Sequence, residues 1–191
     1  MEKRIIIAGS GGQGVLFLGK LMAYSAMLEG KEVTWFPSYG AEMRGGTANC
    51  TVIISDEMIG SPVTGNPDIL IVMNEASYNR FSKRLLPGGL LFYDSSLITA
   101  DSRRDDVKIL KVPASEMSAS PRHTKSANMV MMGAFITVTG LLALDSALSA
   151  IGDITPSRRK DSIAVNKDLI TKGYGLIETE ESNSIGHQAH T

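Results

Sequence analysis

The feature that most limits how this chain can fold is a glycine run, Gly9-Ser10-Gly11-Gly12-Gln13-Gly14, set between a short β-branched stretch and a long apolar-periodic one. A strand over Arg4–Ala8 stops at Gly9. Behind the run, Val15, Leu18, Leu21, Met22 and Leu28 recur near one face at helical spacing, which predicts a helix over 13–29. Gly30 is a C-terminal stop, and Glu32–Phe36, closed by Pro37, reads as a second strand. Strand, helix and strand make a βαβ unit, which crosses over right-handed into a parallel sheet. In that setting Gly9 permits the tight turn, Gly11 lets a ligand approach the backbone, and Gly14 lets helix and strand pack closely. Free amides at the helix start, with its partial positive charge, favour a phosphate. The alternative is that the glycines serve turn and packing alone.

Further along, Thr47–Ile54, Ile69–Met73, Leu90–Tyr93 and Val107–Val112 read as strands, the apolar ones as strands buried on both faces. Helices are expected over 75–86, 126–149 and 161–172, with residues 1–178 as one domain and a polar tail over 179–191. The alternation implies an α/β fold: a mostly parallel, Rossmann-like sheet with helices on both faces. Met129–Leu144 is almost continuously apolar but falls short of the ~20 residues a spanning helix needs. It reads as a buried or subunit-facing helix, its methionines as core filling.

Composition narrows the function. The net charge of −1 across 191 residues offers no basic field for nucleic acid. The one cysteine, Cys50, can supply neither a disulfide nor the thiolates of an iron–sulfur cluster, and it implies a reducing, cytoplasmic setting. Inside a strand it reads as a buried structural thiol. No signal-peptide pattern opens the chain. His123, in a basic loop, and His187 and His190, in the tail, read as solvated; Arg103 to Asp106 reads as a solvated turn.

A second loop, Ser38-Tyr39-Gly40-Ala41-Glu42-Met43-Arg44-Gly45-Gly46-Thr47, follows the second strand, where doubly wound folds place a ligand crevice. Arg44 beside two glycines can offer a guanidinium and backbone amides to one anion. A surface loop with an ordinary arginine reads as well from physics alone. A dinucleotide is the usual ligand of such a glycine run, but the second strand ends Trp35-Phe36-Pro37, without the acidic residue that would hold the ribose. A self-contained NAD(P) oxidoreductase is therefore an alternative reading only.

Together, the Gly-Ser-Gly-Gly-Gln-Gly-Val start, the Ser-Tyr-Gly-Ala-Glu-Met-Arg-Gly-Gly-Thr-Ala loop, Ser61-Pro62 before Pro67-Asp68, and Asn128 with Gly133 resemble one family over about Arg4 to Gly173. This is the gamma subunit of the 2-oxoacid:ferredoxin oxidoreductases, and the loop looks most like the 2-oxoglutarate and branched-chain 2-oxoacid types. The resemblance implies a multisubunit enzyme that decarboxylates a 2-oxoacid on thiamine diphosphate and magnesium. It passes electrons through iron–sulfur clusters to ferredoxin and transfers the acyl group to coenzyme A. This chain lacks the signatures for the thiamine cofactor and the clusters, so alpha, beta and delta-type subunits would supply both. No cofactor would be bound by this chain alone, and no residue here is assigned proton transfer. Assembly and a share of the coenzyme A site remain for it. The residues implied are Gly9, Ser10, Gly11, Gly12, Gln13, Gly14, Ser38, Tyr39, Arg44, Gly45, Gly46 and Thr47, with Ser10, Gln13, Tyr39 and Arg44 as polar contacts. A ligand-free assembly module is the remaining alternative. Neither nucleic acid nor membrane is an expected partner.

Overall fold

Each run read as a strand becomes one. The computed structural model describes residues 1–38, 47–99, 104–119 and 126–186. Within these, β1 (Glu2–Gly9), β2 (Glu32–Ser38), β3 (Ala48–Ser55), β4 (Ile69–Val72), β5 (Leu90–Asp94) and β6 (Lys108–Val112) form one sheet in the order β2-β3-β1-β4-β5-β6. β1, β4, β5 and β6 run parallel, while β3 lies antiparallel between β1 and β2. The first two strands are thus parallel but not neighbours. β2 and β3 pair as a hairpin, and the hairpin inserts β3 into the expected βαβ unit.

The helices are α1 (Val15–Leu28), α2 (Glu75–Phe81), α3 (Ala114–Met117), α4 (Ala127–Thr139), α5 (Leu144–Ile154) and α6 (Ile163–Gly186). Alternation along β1 assigns the two faces. Ile5 and Ile7 pack with residues of α1, α4, α5 and α6, whereas Ile6 and Ala8 pack with Tyr78 and Phe81 of α2. Helices therefore cover both faces, as expected from the strand–helix alternation, though the larger core lies on the α1/α4 side. Met129, Met131 and Met132 are buried there, and Phe135 meets Phe92 of β5 with ring centroids 6.1 Å apart. Among the described residues, no helix is long and apolar enough to cross a membrane.

Three helix boundaries differ from the sequence reading, each for a local reason. The expected helix over 126–149 is two helices. Gly140 takes a left-handed conformation (φ 58°) and donates its N–H to the Ile136 carbonyl, which ends α4 before α5 begins. The expected helix over 75–86 ends at Phe81, and Ser82–Arg84 tightens to a 3₁₀ turn. The final helix runs beyond Lys172 to Gly186. Gly173 is no stop signal: it is the point where α6 crosses α4. A side chain at Gly133 would collide with the Ile170 carbonyl, and one at Gly173 with the Val130 carbonyl. Thr137 Oγ1 donates across the same crossing to the Tyr174 carbonyl at 2.7 Å. The short α3 and a 3₁₀ turn over Ser157–Ser162 carry no periodic signal and were not expected.

The crossing gives a test. In Gly173→Ala the added methyl meets backbone, which cannot rotate away. The variant should lose at least the ~1–3 kcal/mol typical of overpacking, read as a lower urea midpoint at unchanged slope. A wild-type midpoint would show that α6 is not held this tightly on α4.

Candidate anion-binding site

The run after β1 folds as a braced loop. Gln13 turns its amide back beneath it: Oε1 accepts from the Ser10 N–H at 2.6 Å, and Nε2 donates to the Met73 carbonyl at 2.7 Å, at the end of β4. The Ser10 hydroxyl accepts from Asn74 Nδ2, and Asn74 Oδ1 in turn accepts from the Ser77 N–H at 2.9 Å, capping α2. Two helix starts are thereby tied at one end of the sheet. Gly9 closes β1 opposite Ala48 of β3. Gly11 faces open space. Gly14, at the α1 N-cap, is left-handed (φ 72°) and lies against Asn128 of α4, whose Nδ2 donates to its carbonyl at 3.1 Å. Gly14 thus admits a helix–helix contact rather than the helix–strand contact expected. No side chain caps α1, and its first turn holds no acidic residue, so its leading amides remain available.

A cleft of about 790 Å³ opens in front of this helix start. One wall is the glycine loop, with Ser10, Gly11, Gly12 and Gly14. The facing wall is built from the Ser157–Ser162 turn and α6, through Arg158, Arg159 and Asn166. Leu16 and Phe17 add an apolar strip. No carboxylate lines the cleft among the described residues. Backbone amides, an uncapped helix dipole and two guanidinium groups therefore act on the same space with one sign.

The second loop springs from the same end of the sheet. Ser38 closes β2 opposite Asn49, one step along β3 from the residue that faces Gly9. Thr47 is buried, and its hydroxyl accepts from Arg80 at 3.3 Å. Tyr39, Arg44, Gly45 and Gly46 lie outside the described residues, as do His123, His187 and His190. Arg158, Arg159 and Asn166 were missed by sequence reasoning. Their only signal is the run Arg158-Arg159-Lys160 directly behind Pro156-Ser157.

Other chemistry is sparse. Among the described residues no group of three or more His, Cys, Asp or Glu side chains could hold a metal ion. Cys50 is buried beneath α1, and burial pushes its thiol up to about 12. β2 is not adjacent to β1, so the strand pair that presents a dinucleotide's ribose is absent as well as its acidic residue.

An open α/β sheet whose first strand runs into an uncapped, glycine-led helix, facing a basic wall, defines a Rossmann-like domain with an electropositive cleft at one end of its sheet. The pyruvate ferredoxin/flavodoxin oxidoreductase family model matches residues 4–176, and the chain belongs to that family. It is 32% identical to the 2-oxoglutarate synthase subunit KorC of Methanocaldococcus jannaschii, over 93% of this chain and 95% of that one. It is 42% identical to the ketoisovalerate oxidoreductase subunit VorA of Methanothermobacter thermautotrophicus over 75% of this chain, but spans only 30% of that longer protein. The fold matches the keto/oxoacid ferredoxin oxidoreductase gamma subunit of Geobacter sulfurreducens with a TM-score of 0.77 at 27% identity, covering 91% of this chain and 96% of that one.

Two tests follow from the geometry. Gln13→Ala leaves the Ser10 N–H and the Met73 carbonyl without their partner; it should cost about 1–3 kcal/mol and speed hydrogen exchange at the Ser10 amide. Unchanged exchange there would remove Gln13 as the brace. Cys50 should resist iodoacetamide at pH 8 in the folded chain and react once unfolded in urea. Its folded pKa lies above the unfolded value of about 8.5 and the neutral form is the one buried. Its contribution to stability is therefore constant below pH ~8.5 and falls as pH rises from there towards 12.

Proposed function

We propose that this chain is the gamma-type subunit of a multisubunit 2-oxoacid:ferredoxin oxidoreductase, with 2-oxoglutarate as its oxoacid, and that it helps hold coenzyme A and assemble the complex. The observation that carries the reading is the carboxylate-free cleft between the glycine loop and the Arg158–Arg159 turn. The 2-oxoglutarate synthase subunits match this chain over nearly their whole length, which supports a separate gamma-type subunit of that kind. Alpha, beta and delta-type partners would bring thiamine diphosphate, magnesium and iron–sulfur clusters, with ferredoxin as the electron acceptor. Cytoplasm is the setting this implies. The family match ends at residue 176, which suits a functional domain over 1–178 followed by a tail.

Coenzyme A fits the residues present. Its phosphates suit the amides of Gly11 and Gly12, the α1 start and the guanidinium groups, and its pantetheine arm suits the apolar strip of Leu16 and Phe17. When bound, coenzyme A supplies the thiol that accepts the acyl group. The chain's own part is to fix phosphates and direct the ligand. Ser10 and Gln13 shape the loop that does so, and Ser38, Tyr39, Arg44, Gly45, Gly46 and Thr47 of the second loop are the further contacts that the family resemblance implies.

The purified chain alone should give no 2-oxoacid-dependent viologen reduction, while the assembled complex should. Activity of the lone chain would end the subunit reading. Calorimetry with NAD should show nothing tighter than millimolar, on the order of −4 kcal/mol. In the assembled enzyme, Arg44→Ala should raise the apparent coenzyme A constant roughly ten- to a hundredfold, the loss of a charge-assisted bond of ~1.5–3 kcal/mol. Lysine should restore part of it. Wild-type kinetics with intact assembly would remove the second loop from the site.

A further inference from the structure

The α1 start and its glycine loop offer one anion position, made of backbone. The facing wall is of a different kind. Arg158 and Arg159 are exposed to the cleft, and among the described residues no carboxylate pairs with either; Asp161, on the same turn, makes no ion pair with them. Two adjacent guanidinium groups with no carboxylate partner present ten N–H donors and two positive charges to the cleft, a pair that an anion can bridge. Asn166, one turn into α6, is only 8% exposed, and its amide has no hydrogen-bond partner among the described residues. Its amide opens onto the cleft, where its donor and acceptor are free to meet a ligand. Asn128, 5% exposed, spends its Nδ2 on Gly14 and leaves its Oδ1 without a partner among the described residues. The cleft, at about 790 Å³, lies within the ~300–1,000 Å³ range of sites for whole ligands, far larger than one phosphate requires.

We propose that Arg158, Arg159 and Asn166 form a second recognition wall, which reads a phosphate separate from the one on the glycine loop. The cleft then selects a ligand bearing two phosphate groups set apart. This rests on the coenzyme A reading above and deepens it. That molecule carries a diphosphate in its chain and a further phosphate on the ribose 3′ position. The backbone amides take one and the guanidinium pair the other. Two guanidinium forks match a phosphate monoester, with its extra charge and acceptors, better than a diester. The arginines would therefore set specificity for the 3′-phosphate.

The test is calorimetric titration of the assembled complex with coenzyme A and with 3′-dephospho-coenzyme A, independent of turnover. The wild type should bind coenzyme A at least tenfold tighter than the dephospho form. The double variant R158A/R159A should weaken coenzyme A binding by roughly ten- to a hundredfold and bring the ratio of the two constants towards one. R158K/R159K should keep part of the preference, since charge is retained and the fork lost. Gly11→Asp serves as the control for the underlying reading. Its Cβ meets open space, so the fold is kept, while a carboxylate enters the glycine loop and should weaken both ligands. A wild type that does not distinguish the two ligands, or an arginine double variant that keeps the full preference while Gly11→Asp weakens both, overturns the second wall and leaves the coenzyme A reading standing. Wild-type affinities in both the Gly11 and the arginine variants overturn that reading with it.

Discussion

The crossing of α4 over α6 at Gly133 and Gly173 governs most of what surrounds it. With no side chain at either glycine, the two backbones approach to the limit set by their carbonyls. The close approach gathers dispersion contacts between buried α4 and the inner face of α6 and leaves Thr137 to satisfy a carbonyl of α6 across the seam. It also fixes the site. Asn128 is in the first turn of α4 and Asn166 in the first turn of α6, so the crossing brings both amides to the mouth of the same cleft. Asn128 then locks onto Gly14, coupling this helix pair to the glycine loop of α1. A local steric fact about two glycines is thus transmitted to an electrostatic one at a distance.

The electrostatics of the cleft arise from omission as much as from placement. α1 starts without a capping side chain or an acidic residue, unlike α2, which has Asn74 as its cap and Glu75 in its first turn. The two helices begin close together and are joined through Ser10, yet only the start of α1 is left unmet by protein.

The sequence made legible what depends on short-range order. β1, the glycine loop and α1 were readable because a β-branched run, a required turn and a helical period stand in register. The strands ran as their composition indicated. The antiparallel insertion of β3 was not readable, since whether two strands pair directly or through an intervening one is settled by tertiary competition and leaves no mark on periodicity. Gly140 and Gly173 show the same limit from two sides. One glycine ends a helix inside a continuous apolar run, and the other sits mid-helix where a stop would be natural. Only the neighbouring backbone tells them apart. Arg158, Arg159 and Asn166 come to the cleft through helix packing, far in sequence from the glycine loop. Family resemblance supplied the enzyme class, and no periodic signal would have.

The strand order leaves β2 and β6 as the free margins of the sheet. β6 presents exposed Lys108 and Lys111, whose charges discourage another chain from adding on. β2 is guarded less: Glu32 opens it, Pro37 withholds one donor near its end, and between them Phe36 stands 46% exposed. Of the two margins, β2 is therefore the one from which strand mispairing between copies would start, away from the cleft.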